Sequence, residues 1–233
     1  MKRRRIPGNE RKSLILEAAR HAFARHGFDG ARTQDIARAA QVSEALVYRH
    51  FPTKQALYRA VLRQMIRDQN INHDLIGLTD ISPKGLVTNL RTYFQLVVGY
   101  GPEQVREGFR LLLASVASDA GFASLIYRRS NRIMNKRVQE ALLLAHKQGD
   151  IVGTVPDARN TSMFIEHIGT MMNTLARIGP QGTPYLGDRD KIVMDAVRFC
   201  CRGLGFTEAA IERYLAQPGP VDLFAADLAE AAE

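Results

Sequence analysis

The chain has 233 residues, 45% of them apolar and 24% charged, with a formal net charge of +8 and two cysteines. That is the profile of a globular chain that buries a core without cross-links; it excludes a disulfide scaffold, a collagen-like repeat and a disordered polyelectrolyte. No apolar run approaches the roughly 18 uncharged residues of a membrane helix, and the basic start lacks the apolar stretch of a signal peptide, so a soluble cytoplasmic protein with no membrane partner is expected.

The charge is uneven. Residues 1–67 hold 15 Lys+Arg against 5 Asp+Glu, a balance of +10, whereas the rest holds 17 against 19, a balance of −2. A basic N-terminal region suits a polyanion, because each neutralised phosphate releases condensed counterions. The plain alternative is a basic surface that only keeps the protein soluble.

In chain order, residues 1–9 read as a disordered basic arm, Lys2-Arg3-Arg4-Arg5 followed by Pro7-Gly8. A helix is predicted from Glu10 to His26 on the stripe Leu14, Ile15, Ala18, Ala19, Ala22 and Phe23, with Gly27 as its stop. Thr33 and Ser43 then read as two N-caps, which predicts two short helices around a tight turn, packed through Ile36, Ala37, Ala40, Val42 and Val47. Such a helix-turn-helix can place its second helix in a DNA major groove. Phe51-Pro52-Thr53 breaks the chain, and Thr53 caps a fourth helix buried on Leu57, Tyr58, Val61, Leu62 and Met65 that ends near Asn70.

Residues 70–82, with Gly77 and then Pro83, read as a boundary between a first domain at 10–70 and a second at 83–216. Helices are predicted in the second at 83–99, 102–118, 121–148, 157–178, 188–203 and 207–216, with no competing β-type alternation. The tail 217–233 reads as a short acidic helix from Asp222 to Glu230 or as no regular structure. The fold class is therefore all-α: a small N-terminal domain of three helices with a helix-turn-helix, joined to a larger helical domain. In that larger domain the helices at 157–178 and 188–203 are both strongly apolar, enough to bury one another.

Catalysis finds little footing. The chain has no Gly-rich phosphate loop, no nucleophile elbow and no His-Glu-x-x-His, and its six histidines show no i, i+4 pair, so no catalytic residue, cofactor or metal is expected. Cys200 and Cys201 are adjacent, which disfavours a bridge between them and suggests buried small hydrophobes; a redox role is the alternative.

From about Arg11 to Leu57 the sequence resembles the DNA-binding domain of the TetR (tetracycline-repressor-like) transcriptional regulators. The residues that carry the resemblance are Ile15-Leu16-Glu17-Ala18-Ala19, Phe23, Gly27-Phe28, Thr33, Asp35-Ile36-Ala37, Ala40, Val42-Ser43, Tyr48-Arg49-His50-Phe51 and Lys54-Gln55-Ala56-Leu57. It departs from the usual pattern at Gln41, where the turn often carries Gly, and at Glu44-Ala45, where a pair such as Lys-Gly is common. The resemblance implies a homodimer on a palindromic double-stranded DNA operator, with the last long helices forming a four-helix bundle across the two-fold axis. It also implies a small-molecule pocket in the C-terminal domain and a regulator, a repressor in the first instance.

Carried over residue by residue, the resemblance puts Gln34, Glu44, Ala45 and Leu46 at base-reading positions and Thr33, Tyr48 and Lys54 at phosphate-contacting ones; Ser43, Arg49 and His50 complete the DNA-facing set. The chemistry agrees: Gln34 suits adenine, Arg49 guanine or a phosphate, Glu44 the amino group of cytosine, and Ala45 and Leu46 a thymine methyl. Glu44 reads equally as a first-turn acid, His50 as a structural histidine beside Phe51, and the arm as a minor-groove reader or a solvated tail. For an apolar or aromatic effector the candidate lining is Tyr93, Phe94, Phe109, Tyr127, Met134, Met163, His167 and Met171, residues that serve equally as core. Two other readings stand beside the ligand-responsive regulator. One is a DNA binder whose second domain serves only dimerisation or a protein partner; the other is an enzyme with a basic helical domain.

Overall fold

Ten α-helices and one π-helical turn make up the regular structure among the residues that the computed structural model describes, 8–76, 78–100, 103–118, 120–175 and 184–217. The basic arm Lys2 to Arg5, the tail from Pro218 and the expected helix end at 176–178 lie outside the described residues. Two compact units are formed, Met1–Ile71 with Glu107–Ile126 and Asn72–Arg106 with Tyr127–Glu233.

The first unit begins with α1 (Gly8–Gly30), which buries Ile15, Ala19 and Phe23 and leaves Leu14 exposed. Its helical path is interrupted at Gly27, whose φ of 68° lies in the left-handed region that glycine enters without penalty, so the expected stop is a kink after which helix resumes. Next come α2 (Thr33–Ala39), α3 (Glu44–His50) and α4 (Lys54–Ile76). Ile36 of α2, Val47 of α3 and Leu57 and Val61 of α4 are buried, as is Phe51 between the last two. Full burial of each large aliphatic or aromatic side chain is worth about 1.5–3 kcal/mol relative to exposure. Phe23, Phe28 and Tyr58 complete the core with ring centroids 4.9–6.1 Å apart. Within this unit Glu107 of α6 (Glu103–Val116) is 1% exposed and pairs with Arg20 at 2.8 Å and with His21 of α1.

One cap differs from expectation. Ser43 caps α3, its hydroxyl accepting from the Leu46 amide at 3.2 Å, but the N-cap of α2 is Arg32, which makes no side-chain cap bond. Thr33 is instead the first helical residue and is buried, because its hydroxyl is engaged from the side by Tyr48 rather than along the helix axis. Thr53 caps α4 by accepting from the Ala56 amide at 3.0 Å, and α4 runs past Asn70 to Ile76.

In the second unit α5 (Pro83–Gln95) is capped by Ser82 and leads into the π turn Leu96–Tyr100. The later helices are α7 (Gly121–Lys147), α8 (Ala158–Leu175), α9 (Arg189–Gly203) and α10 (Glu208–Leu215), α9 and α10 being capped by Asp188 and Thr207. α9 packs chiefly along α5, while α8 packs on the π turn, so the two apolar helices are not each other's main partners. Consequently Phe164 and Met171 of α8 and Phe199 of α9 stand 62%, 52% and 65% exposed. Buried Asp150, which receives Arg213 and Tyr214 of α10, joins the loop after α7 to the last helix; the Thr207 amide donates to its carbonyl at 2.8 Å. Among the described residues no single helix is long and apolar enough to cross a membrane.

Candidate functional site

The helix-turn-helix is built from two short helices and a turn that a non-glycine residue completes. Gln41 adopts φ 55°, the left-handed conformation that turns the chain between α2 and α3, while the Val42 amide donates to the Ala37 carbonyl at 2.9 Å. With Val47 turned inward, Glu44, Ala45, Tyr48 and Arg49 fall within about 140° of one another around α3, one side of a helix of 100° per residue. Ala45, Tyr48 and Arg49 are exposed, as are Gln34 at the start of α2 and the Ser43 cap; Glu44 and Leu46 are half-buried. Glu44 lies in the first turn of α3, where its charge also favours the helix dipole.

Four expected contact residues, Thr33, Tyr48, His50 and Lys54, have partners elsewhere in the domain. The Tyr48 hydroxyl donates to Thr33 Oγ1 at 3.3 Å, which ties α3 to α2. Lys54 Nζ donates to the Asp29 carbonyl at 3.2 Å and lies 4.8 Å from the centre of the Phe28 ring, fastening the start of α4 to the end of α1. His50 packs its ring 6.4 Å from that of Phe51, with Lys12 Nζ on the same phenyl ring at 5.9 Å. The Lys54 and Lys12 ring contacts were not legible in the sequence, because partners 26 and 39 residues away leave no periodic signal. Arg49 has no carboxylate partner among the described residues, so its guanidinium is available.

The expected ligand-lining residues divide. In the second unit Tyr93 of α5 and the α8 backbone meet, the Tyr93 hydroxyl donating to the Glu166 carbonyl at 3.2 Å. Tyr127 and His167 meet edge to face with centroids 5.7 Å apart. Phe94 is fully buried, Met134 and Met163 are half-buried, and Met171 faces out. Phe109 belongs to the first unit. Glu166, absent from the expected set, shares the Tyr93 position; its signal in the sequence, one acid on an apolar helix, was present but unspecific. Among the described residues no group of three or more His, Cys, Asp or Glu is placed to hold a metal.

Comparison with known proteins agrees with this geometry. The family described as "Bacterial regulatory proteins, tetR family" matches residues 15–61. HTH-type transcriptional regulator RutR of Escherichia coli (strain K12) is 46% identical over 56 residues, which cover 24% of this chain and 26% of RutR, so the match spans about a quarter of that relative's length. HTH-type transcriptional regulator LuxR of Vibrio harveyi is 29% identical over 150 residues, 64% of this chain and 71% of LuxR. A TetR-like transcriptional regulator from Rhodococcus sp. RHA1 superposes with a TM-score of 0.63 at 17% identity, over 86% of this chain and 98% of that one. A tetR-family regulatory protein from Rhodococcus RHA1 gives 0.61 at 20%, over 85% and 99%. The capped helix α3 lies inside the segment, residues 15–61, that matches the tetR family of bacterial regulatory proteins, and the chain shares its all-helical fold with solved TetR-like regulators.

Proposed function

We propose that the protein is a sequence-specific DNA-binding transcriptional regulator, a repressor that grips a palindromic operator as a homodimer and responds to a small molecule held in its C-terminal domain. The observation that carries the reading is the exposed arc Ala45, Tyr48 and Arg49 on a capped helix tethered through Tyr48 to Thr33, in the part of the chain that holds the excess positive charge. α3 enters the major groove; Gln34, Glu44, Ala45, Leu46 and Arg49 address base edges, and Ser43, Thr33, Tyr48, His50 and Lys54 position the backbone. The homodimer is supported by Phe164 and Met171 on α8 and Phe199 on α9, large apolar side chains that stand exposed.

Selection of bound duplexes from a random pool by the purified protein, at near-physiological salt, tests the assignment, since non-specific charge binding is suppressed there. An enriched palindrome is expected. Binding without enrichment that vanishes as salt rises would withdraw the regulator reading.

A further inference from the structure

α8 is turned with polar groups inward. Thr170 is 5% exposed, Asn173 is buried and Glu166 is half-buried, whereas Phe164 and Met171 face out. Asn173 is satisfied, its Nδ2 donating to the Val97 carbonyl at 2.7 Å. Thr170 is not. Other helical threonines return their hydroxyl to the carbonyl four residues earlier, Thr92 to Thr88 at 3.0 Å, Thr161 to Asp157 at 2.8 Å and Thr174 to Thr170 at 2.8 Å. For Thr170 that acceptor is the Glu166 carbonyl, where the Tyr93 hydroxyl donates instead, and Thr170 Oγ1 is left buried without a hydrogen-bond partner among the described residues. Gly169 is what admits Tyr93: a Cβ there would fall 2.3 Å from the phenolic oxygen.

One helical turn before Thr170, on the same face, Glu166 lies beside Tyr93 and Tyr127, with no ion pair to a Lys or Arg among the described residues. Desolvation raises its pKa above the usual carboxylate value. A half-buried carboxyl without a cation and a buried hydroxyl without a partner are each costly to leave unmet, and each can accept a hydrogen bond. The missing group is a donor that carries positive charge, and the Tyr93 and Tyr127 rings beside it present apolar faces that also attract cations.

We propose that Glu166 and Thr170 form the recognition pair for a protonated amine on a hydrophobic body, whose N–H groups donate to the carboxylate and to Thr170 Oγ1 while its apolar part lies against Tyr93 and Tyr127. The proposal rests on the reading of the second domain as the effector domain and names the class of effector.

The test is ligand binding by the full-length protein with no DNA present. Titration calorimetry pairs 2-phenylethylamine, tryptamine and octylamine each with its alcohol, 2-phenylethanol, tryptophol and octan-1-ol. At least one amine is expected to bind about tenfold or more tightly than its alcohol, about 1.4 kcal/mol by the affinity relation. Glu166→Gln should erase that preference, and Thr170→Val should weaken the amine severalfold. Three amines no better than their alcohols, or amine binding untouched by Glu166→Gln, would overturn the site. Folding is followed on the same variant: Glu166→Gln should keep its helical circular dichroism and raise Tm, because it removes a desolvated carboxyl with no cation. A lowered Tm would make Glu166 a structural partner of Tyr93 and end the proposal. Amines that bind a protein with no preferred operator remove the regulator reading and leave this site; amines ignored by a protein that enriches a palindrome do the reverse.

Discussion

Tyr48 on α3 donates its phenolic hydrogen to Thr33 Oγ1 at the first residue of α2, 3.3 Å away, so one hydrogen bond joins the two helices of the reading motif. Tyr48→Phe should lower stability by about 0.5–1.5 kcal/mol, the net worth of an intramolecular hydrogen bond. Thr33→Val should do much the same, and the double variant should be less destabilised than the sum of the two, since both remove one bond. Urea unfolding of the three proteins decides; strict additivity would mean the bond does not form in solution.

Gln41 sits at φ 55° in the turn, where a side chain with Cβ costs roughly 1–2 kcal/mol relative to ordinary backbone. Gln41→Gly should therefore stabilise, by somewhat less than that because glycine loses more freedom on folding. Gln41→Val should destabilise, a β-branched residue being the worst fit to this conformation. Thermal unfolding that ranks Val above Gly would refute the assigned turn geometry.

Glu107 is buried between Arg20 and His21. Glu107→Ala should cost about 3–5 kcal/mol, because it strands the mostly buried Arg20 guanidinium without a counter-charge. Adding Arg20→Leu to that variant should restore part of the loss. Denaturant midpoints compare the two, and a double variant weaker than the single would show that the pair is not coupled.

Burial pushes the Cys200 thiol up to about 11 and, with the neighbouring Cys200 adding to burial, the Cys201 thiol up to about 12. The thiolate is the reactive form, so both should ignore a disulfide reagent near pH 8 in the native protein and react fully once unfolded. The raised folded-state values also fix the sign of the pH dependence. The folded state keeps protons that the unfolded chain gives up, so this contribution is complete below the unfolded thiol pKa of about 8.5 and is lost as pH climbs toward 11 and 12. Rapid labelling of the native thiols would contradict their burial.

Phe199→Glu places a charge at an exposed apolar position of α9 without touching the domain core. It should shift light-scattering mass from dimer toward monomer at micromolar concentration while helical circular dichroism is retained. An unchanged mass would move the two-fold interface elsewhere.

Helix ends were legible because their signals are local. Ser43 and Thr53 each hydrogen-bond an amide three residues on, so their roles can be read within one turn. Thr33 misled because its hydroxyl answers to Tyr48, fifteen residues away, and a cap and a side-on acceptor look alike in sequence. The orientation of α8 was harder still. Phe164, Ile165, Ile168, Met171 and Met172 form one stripe about 120° wide that reads as the inward face, yet the path of α5 and its π turn sets Glu166 and Thr170 inward and Phe164 and Met171 outward. For the same reason the reading helix was within reach of sequence, whereas the polar pair on α8 was not.

The π turn Leu96–Tyr100 holds one residue more than an α-helical turn would. Aligning this chain with a relative whose corresponding helix is regular therefore calls for a single-residue gap there, even where both helices look unbroken in sequence. The Asn173 amide, 2.7 Å from the Val97 carbonyl, shows what depends on that extra residue. A deletion that straightened the helix would turn every later side chain on it by about 100° and strand the Asn173 donor, so the inserted residue and the asparagine are expected to be gained or lost together over the history of the lineage.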